Sequence, residues 1–325
     1  MNIYDIAAKS GVSPATVSRV INGNRHVRAE TRAKVLQVIR DTGFQPNAFA
    51  QGLNFNSIGM VGVLCSDFAD SFYSRAVASL ESHLRVGNMN VTVICTGYSV
   101  ERQIEGIRKL KAKNVDAIVL IGAAYSEIPE SYIAEVAQET PVVTVTTAVF
   151  DLPNVCAVCC DERGGTKTAI AELLAAGHQN VLFVCEHTGN SNSFKLRGYE
   201  DAYEEANIPS PKLVLTTGNS QPEAEAVIYR HLKDHIAEID AVMAGNDVLA
   251  AYVLKAMHRL GCMRPVIGFN NSTLTTMVIP ELTSVDNKLE DLCEIAVQRL
   301  IDILGQKTVQ KKTVLPAELI RRESF

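Results

Sequence analysis

From residue 58 onward, short apolar runs alternate with amphipathic helical segments, and this alternation limits the possible folds more than any other feature of the chain. A strand that leads through a helix to the next strand forms a parallel pair, so the pattern predicts doubly wound parallel sheets of the α/β class. Because the pattern continues over roughly 260 residues, it predicts two such sheets instead of one. Strands are expected at 59–65, 91–95, 117–121, 142–145, 155–159, 181–185, 213–216, 241–244, 266–269 and 282–285.

Residues 1–44 show a different pattern, which predicts three short helices separated by turns. Ser13 supplies an N-cap oxygen for the second helix, and Pro14 occupies its first position, where the missing N–H costs nothing. The third helix is expected over roughly residues 29–42. Three helices joined by short turns form a helix-turn-helix unit, so we expect an all-α headpiece in front of the α/β body.

Charge is distributed unevenly along the chain, whose formal net charge is −5. Residues 1–56 hold seven Lys and Arg against three Asp and Glu, which gives +4, and the remaining residues give −9. A basic head on an acidic body confines phosphate attraction to one face, as a nucleic-acid binder requires. A solvated basic helix would carry the same charge, so charge alone does not decide between the two interpretations.

Residues 45–57 join the head to the body. Residues 48–53 have helical propensity over only about two turns, and so short a helix is unstable alone in water. We therefore expect this segment to be ordered only when another molecule holds it. The expected domains are a headpiece at 1–44, a hinge and linker at 45–57, and a body at 58–325.

Motifs of the common enzyme classes do not stand out in the sequence. No Gly-x-Gly-x-x-Gly follows a predicted strand, and the stretch from Gly164 to Thr168 lacks Walker A spacing. Cys156, Cys159 and Cys160 lie in an extended run whose side chains alternate between faces, so we interpret them as structural and not as metal ligands. The sequence therefore predicts a protein that is not an enzyme and uses no cofactor or metal.

The sequence shows no signal peptide and no apolar run of the roughly 18–20 residues that cross a bilayer. We therefore expect a cytoplasmic protein without a membrane partner, with its eight cysteines reduced. A solute-binding protein for import would have no use for the basic head, which argues against that class.

The head carries a long series of residues in register with one known family. These residues are Tyr4-Asp5-Ile6-Ala7, Gly11-Val12-Ser13, Ala15-Thr16-Val17-Ser18-Arg19-Val20-Ile21-Asn22, Thr31-Arg32, Gly43-Phe44 and Pro46-Asn47. They closely resemble the headpiece of the lactose-repressor/galactose-repressor family of transcriptional regulators. Landmarks of the body resemble that family too, at 59–63, 116–118, 177–181, Gly198-Tyr199, Asn246-Asp247, Ile267-Gly268-Phe269 and 282–285. The resemblance covers essentially the whole chain.

The resemblance implies that the second helix of the head enters the major groove of DNA. Pro14 and Ala15 match the pair that discriminates operators; both are small and apolar, so they can pack on a thymine methyl but cannot donate a bidentate hydrogen bond. Arg19 can reach guanine O6 and N7, which makes it the expected base-reading residue. The expected phosphate contacts are Tyr4, Ser13, Thr16, Ser18, Asn22 and His26. The alternatives are pure capping for Ser13 and an ordinary surface position for His26.

Residues 47–53 match the family's hinge helix, which folds only when two copies meet in the minor groove. Leu53 occupies the position of the leucine that wedges between base steps and kinks the duplex, unless it simply begins the linker. Gln51 can reach minor-groove acceptors, and Asn47 and Ala50 complete the expected contacts.

For the body, the resemblance implies a periplasmic-binding-protein-like fold of two doubly wound subdomains, joined by three crossovers near Asp161, Asp286 and Val314. The expected subdomains are 58–160 plus 287–313, and 161–286 plus the C-terminal segment. An effector would lie in the cleft between them. The expected effector-binding residues are Ser71, Phe72, Tyr73, Ser191, Lys195, Asn246, Asp247, Asn270 and Asn287.

Several of these positions depart from the family pattern. Lys195 stands where sugar-binding relatives usually have Arg, and Asn270 stands where they have Asp. Arg and Asp hold vicinal hydroxyls through bidentate, charge-assisted bonds, whereas Lys and Asn give weaker and less oriented ones. Asp247 could instead be only a charge at a helix N-terminus. The expected effector is a sugar or sugar derivative, with no particular sugar implied.

The resulting hypothesis is a sequence-specific transcriptional regulator, a repressor, controlled by a small-molecule effector. A homodimer is expected on double-stranded operator DNA, because a symmetric dimer matches a pseudo-palindromic site. The alternative is a global catabolite-control-type regulator that responds to a phosphorylated carrier protein. Lys195 and residues 276–285 favour that alternative, whereas Ile279, in place of an expected basic residue, argues against it.

Overall fold

The structure is a computed structural model, and it describes residues 3–21, 27–42, 58–146, 150–186, 190–218 and 221–325.

The head consists of the three predicted helices, α1 (Ile3–Ser10), α2 (Pro14–Ile21) and α3 (Ala29–Thr42). α2 begins at Pro14, where the Ser13 hydroxyl accepts the backbone N–H of Thr16 at 3.2 Å and so satisfies one donor of the first turn. The three helices close on a small core of Ile6, Ala7, Val17, Val20 and Val35.

The body alternates strands and helices, as its hydrophobic pattern predicts. In chain order its elements are β1 (Met60–Cys65), α4 (Ser71–Val86), β2 (Asn90–Cys95), α5 (Val100–Ala112), β3 (Ala117–Ile121), α6 (Glu130–Ala137), β4 (Val142–Val145), β5 (Val155–Cys160), α7 (Glu162–Ala175), β6 (Val181–Glu186), α8 (Asn190–Glu205), β7 (Val214–Thr217), α9 (Gln221–His235), β8 (Ala241–Ala244), α10 (Asp247–Leu260), β9 (Val266–Phe269), β10 (Thr283–Asp286), α11 (Leu289–Leu304), β11 (Lys312–Leu315) and β12 (Glu318–Ile320).

The first sheet is six-stranded and parallel, with the strand order β11-β5-β4-β3-β1-β2. Helices α4 and α11 pack on one face, and α5 and α6 pack on the other. Because helices cover both faces, the inner strands are continuous apolar runs, and β3 is buried along its whole length.

The second sheet has the order β12-β10-β9-β8-β6-β7 and is parallel except for β12, which runs antiparallel to β10. Helices α7 and α8 cover one face, and α9 and α10 cover the other. The two sheets confirm the predicted fold class of a helical head and two doubly wound parallel sheets.

The chain passes between the two sheets three times. β5 lies in the first sheet, and α7 after it packs on the second; β10 lies in the second sheet, and α11 after it packs on the first. The third crossing follows β11, which pairs with β5 through Leu315. That crossing lies at residues 316–317, close to the expected Val314, and β11 extends to Leu315, two residues beyond the expected end of that subdomain at 313.

The close contact of α7 with α8 depends on a residue without a side chain. A Cβ on Gly198 of α8 would lie 2.2 Å from the backbone oxygen of Arg163 and 3.1 Å from the backbone nitrogen of Lys167, both in α7. Backbone atoms inside a helix cannot move aside independently, so any larger residue must separate the two helices.

We therefore expect Gly198→Ala to lower the free energy of unfolding by about 1–3 kcal/mol, the usual cost of overpacking a filled interior. Urea unfolding of the full chain, followed by circular dichroism, measures this loss. Glu200→Ala, at an exposed position of the same helix, is the matched control and should change stability little. Equal stability of the two variants would contradict the close-contact explanation.

Candidate effector cleft and DNA interface

The outer face of α2 is the candidate surface for reading DNA bases. Val17 and Val20 of this helix are buried, whereas Ala15 and Arg19, one turn apart, are exposed. Tyr4 of α1 is 62% exposed. A short basic-tipped helix with one buried and one open face has the shape that a major groove accepts.

The residues at the start of α2 form its cap. The hydroxyls of Ser13 and Thr16 lie 2.9 Å apart, and Pro14 is half-buried beside them. Ser13 therefore caps α2, as expected. A contact between Ser13 and a DNA phosphate is compatible with this role. Ser18 lies within α2. The predicted DNA contacts at Asn22, His26, Asn47, Ala50, Gln51 and Leu53 lie outside the described residues.

A cleft opens between the two sheets of the body. Its wall consists mainly of residues that follow the carboxyl ends of strands, which is where open α/β sheets bind ligands. The lining residues are Asp70, Phe72, Tyr73, Tyr98, Gly122, Ala123, Ala124, Thr146, Glu162, Glu186, Ser191, Asn192, Lys195, Gly245, Asn246 and Asn270.

Six of the nine residues predicted to bind an effector line this cleft, namely Phe72, Tyr73, Ser191, Lys195, Asn246 and Asn270. The rings of Phe72 and Tyr73 meet edge to face with their centroids 5.2 Å apart. Tyr73 is only 8% exposed, because its ring packs where a Cβ on Gly122 would lie 2.5 Å away. Phe72 is therefore the more accessible of the two rings.

The other three predicted residues, Ser71, Asp247 and Asn287, do not line the cleft. Ser71 is the first residue of α4, and the helix N-cap is its neighbour Asp70. Asn287 is buried and donates to the side-chain oxygen of Asn270 at 2.9 Å, so it orients a lining residue from behind.

Asp247 faces away from the cleft, into a network of short hydrogen bonds. Its two carboxylate oxygens accept the backbone N–H of Ser272 and the hydroxyl of Ser284, each at 2.6 Å. These bonds join the start of α10 to the loop that follows β9 and to β10. Burial raises the pKa of this carboxyl above its ordinary value. Asp247 therefore connects three elements behind the cleft, a role beyond that of a charge at a helix N-terminus.

Lys195 is held by three groups of the protein. Its ammonium donates to the backbone oxygen of Gly245 at 2.9 Å, lies 3.7 Å from a carboxylate oxygen of Glu162, and sits 4.0 Å from the centroid of the Phe269 ring. The residue is 5% exposed. Ion pairing and the aromatic face together compensate the burial of its charge.

Three carboxylates of the cleft, Asp70, Glu162 and Glu186, are absent from the predicted set. Asp70 caps α4 by accepting the backbone N–H of Phe72 at 2.8 Å, and Glu186 accepts the amide of Asn246 at 3.1 Å. Burial raises the pKa of both Asp70 and Glu186. Each of the three ends or closely follows a strand, so the rule that ligands lie at strand carboxyl ends would have found them.

Cys156 and Cys160 of β5 pack in the core between the first sheet and helices α4 and α11. Burial raises the pKa of each thiol to about 12, which keeps both protonated and unreactive at neutral pH. No helix among the described residues is both long and apolar enough to cross a membrane.

Comparison with known proteins agrees with both parts of the molecule. Residues 2–47 match the model of bacterial regulatory proteins of the lacI family, and residues 170–325 match a periplasmic binding protein-like domain. An HTH-type transcriptional regulator of Lachnoclostridium phytofermentans is 35% identical over 100% of this chain and 99% of its own length. Catabolite control protein A of Priestia megaterium is 29% identical over 100% of this chain and 99% of its own length.

Among solved structures, the lac repressor dimer bound to operator and the anti-inducer ONPF superposes with a TM-score of 0.73 at 23% identity, covering 100% of this chain and 98% of that one. A helix-turn-helix head on a two-sheet body with a central cleft defines the class of DNA-binding transcriptional regulators. The chain belongs to the lacI family of these regulators, as its resemblance predicts, and it is not an enzyme.

The network around Asp247 gives a test of its role. We expect Asp247→Ala to lower the free energy of unfolding by about 1–3 kcal/mol, because two buried donors lose their acceptor. Thermal and urea unfolding of the full chain measure the effect, with the exposed Asp234→Ala of α9 as control. A variant that unfolds like the control would refute the bridging role.

Proposed function

We propose that this regulator is a repressor that binds its operator as a homodimer in the cytoplasm and is controlled by a sugar or sugar derivative in the cleft. The observation that carries the proposal is the cleft, lined by residues of both sheets, in a chain that also carries a DNA-binding head. The lac repressor dimer, which shares the fold, is bound to operator and an anti-inducer at the same time.

The coupling would operate through the geometry of the body. A ligand that touches both sheets favours one relative rotation of the two subdomains, and in a dimer that rotation sets the distance between the two heads. A switch from mostly bound to mostly free needs about 5.5 kcal/mol of differential ligand affinity between two states. A cleft lined by aromatic, amide and charged groups is well suited to supply it.

On DNA, the exposed face of α2 would lie in the major groove. Arg19 carries the fork of donors that pairs with guanine O6 and N7, and Ala15 offers a methyl for thymine. Residues 47–53 would fold in pairs in the minor groove, where Leu53 would open a base step. The remaining head residues would hold phosphates and fix the register.

A catabolite-control-type regulator is the second candidate, favoured by the full-length similarity to catabolite control protein A. A phosphorylated carrier protein needs a cationic surface to receive its phosphoryl group. Ile279, expected at that contact, is 93% exposed and apolar, and Met277 beside it is 73% exposed. Control by a small molecule therefore remains the preferred proposal.

The direct test is selection of duplexes from a random pool by the full-length chain, followed by affinity measurements with and without candidate sugars. We expect enrichment of a two-fold symmetric sequence whose affinity shifts when one sugar is present. A chain that prefers no sequence over random competitor at low salt would contradict the proposal.

Arg19→Ala should weaken binding to the selected duplex by about 1–3 kcal/mol and relax the choice at one base pair in each half-site. Electrophoretic mobility shifts on all four variants of each half-site position measure the change. Arg40→Ala, the control, removes the same charge from α3. Any loss of affinity that it causes should be equal for all duplex sequences. A uniform loss for Arg19→Ala would reject the base-reading role.

Leu53→Ala should leave recognition of the half-sites intact but reduce bending of the selected duplex, since a methyl cannot hold a base step open. Circular permutation of the site within a longer fragment measures the bend angle. Unchanged bending would remove the wedge from the proposed mechanism.

A further inference from the structure

We infer that the effector of this regulator is a polyhydroxylated compound with a protonated amine, such as an amino sugar, whose ammonium group lies between Asp70 and Glu186. The inference rests on the proposed function insofar as it takes the cleft as the effector site. It begins from the charge of the cleft wall.

The described wall of the cleft holds three carboxylates, Asp70, Glu162 and Glu186, against a single basic residue, Lys195. Asp70 belongs to the first sheet's side of the cleft, and Glu186 ends β6 of the second sheet. A ligand that reaches from one side to the other therefore meets a carboxylate on each side.

The ammonium group of Lys195 makes its close contacts within the protein. Its ammonium donates to Gly245 and pairs with Glu162 at 3.7 Å, and Glu162 also accepts the Ser191 hydroxyl at 2.8 Å. Lysine and glutamate thus neutralise each other at one end of the cleft. Among the described residues, no basic side chain lies within 4.0 Å of the carboxylates of Asp70 or Glu186.

The carboxylates of Asp70 and Glu186 each use one oxygen in the protein. Asp70 Oδ1 accepts from the backbone of Phe72, and Glu186 Oε1 accepts from Asn246; within the described part of the chain, the second oxygen of each accepts no hydrogen bond. Both residues are half-buried. Burial is the main cause that raises the pKa of Glu186, and the negative charge of Asp70 raises it further, whereas the bond from Asn246 and the charge of Lys195 lower it. The two acids therefore repel each other, and Lys195 offsets part of that repulsion.

An ammonium ion between them would relieve this repulsion, since it carries opposite charge and three donors for the two remaining oxygens. A phosphate or carboxylate ligand would increase the repulsion at the same place. The chemistry of the wall therefore selects cations over anions.

The rest of the wall suits a hydroxylated ring. Tyr98, 37% exposed, and Phe72 offer aromatic faces for the apolar side of a ring. Asn192, Asn246 and Asn270 offer amide donors and acceptors for hydroxyl groups. A compound with one amine and several hydroxyls meets both requirements, whereas a purely aliphatic amine has no hydroxyls to offer these side chains.

The test is isothermal titration calorimetry of the full-length chain with matched pairs, D-glucosamine with D-glucose, D-galactosamine with D-galactose, and D-mannosamine with D-mannose. N-Acetyl-D-glucosamine, which keeps the nitrogen but loses the charge, and D-glucose 6-phosphate complete the panel. We expect at least one amine to bind tenfold or more tightly than its neutral partner, and the phosphate ester to bind more weakly than glucose.

Two variants locate the ammonium. Asp70→Asn keeps the cap of α4, because Asn is an equally good N-cap, and Glu186→Gln keeps an acceptor for Asn246. Each should reduce the preference for the amine tenfold or more while leaving the unfolding temperature near that of the parent chain. Glu130→Gln, at an exposed carboxylate that does not line the cleft, should leave the preference unchanged.

The inference is overturned if no amine of the panel binds, if a neutral or phosphorylated member binds as tightly as its amine, or if the Asp70 and Glu186 variants keep the preference. These results are separate from the test of the proposed function. A chain that selects a duplex and responds to a neutral sugar would retain the repressor role and lose the ammonium site. A chain that binds an amino sugar but selects no duplex would lose the repressor role.

Discussion

The backbone passes between the two sheets three times, and the cleft depends on this constraint. Asp161 at the first crossing caps α7 by accepting the N–H of Gly164 at 2.8 Å, and Asn287 at the second is buried against Asn270. At the third, Ala317 packs so closely on Gly165 of α7 that a Cβ there would lie 2.6 Å away. These contacts hold the crossings in place, and the carboxyl ends of both sheets face one cleft.

The head and the body of the molecule carry net charges of opposite sign. The first 56 residues carry +4 and the remainder −9, so the body repels DNA phosphates and the head attracts them. The same excess of acids reaches the cleft, where burial makes each uncompensated carboxylate more costly than at the surface. The described wall of the cleft therefore carries more acidic than basic side chains, as the body does as a whole.

The elements were predictable because helices cover both faces of each sheet and make the inner strands continuous apolar runs. All ten predicted strands are present, each within one residue of its expected bounds, and α2 and α3 have the expected bounds. β11 and β12 were missed because they are short edge strands, half-exposed along their length. The direction of Asp247 was not predictable either, since a helix N-terminus at a strand end can face the ligand or the loops behind it. Asp70 and Glu186 are far apart in sequence, and only the two-sheet arrangement brings them to one cleft.

The lysine at position 195 gives the cleft a different cation from the arginine expected of a sugar-binding relative. A guanidinium presents a planar fork of donors to a ligand's vicinal hydroxyls. An ammonium is a compact charge that can be held by neighbouring groups of the protein. Here the ammonium lies between the carbonyl of Gly245 and the ring of Phe269, with Glu162 as its counter-ion. The strongest charged groups left to face a ligand are then Asp70 and Glu186. On the inference drawn above, the charge-assisted contacts to the effector would come from these two anions of the protein and not from a cation.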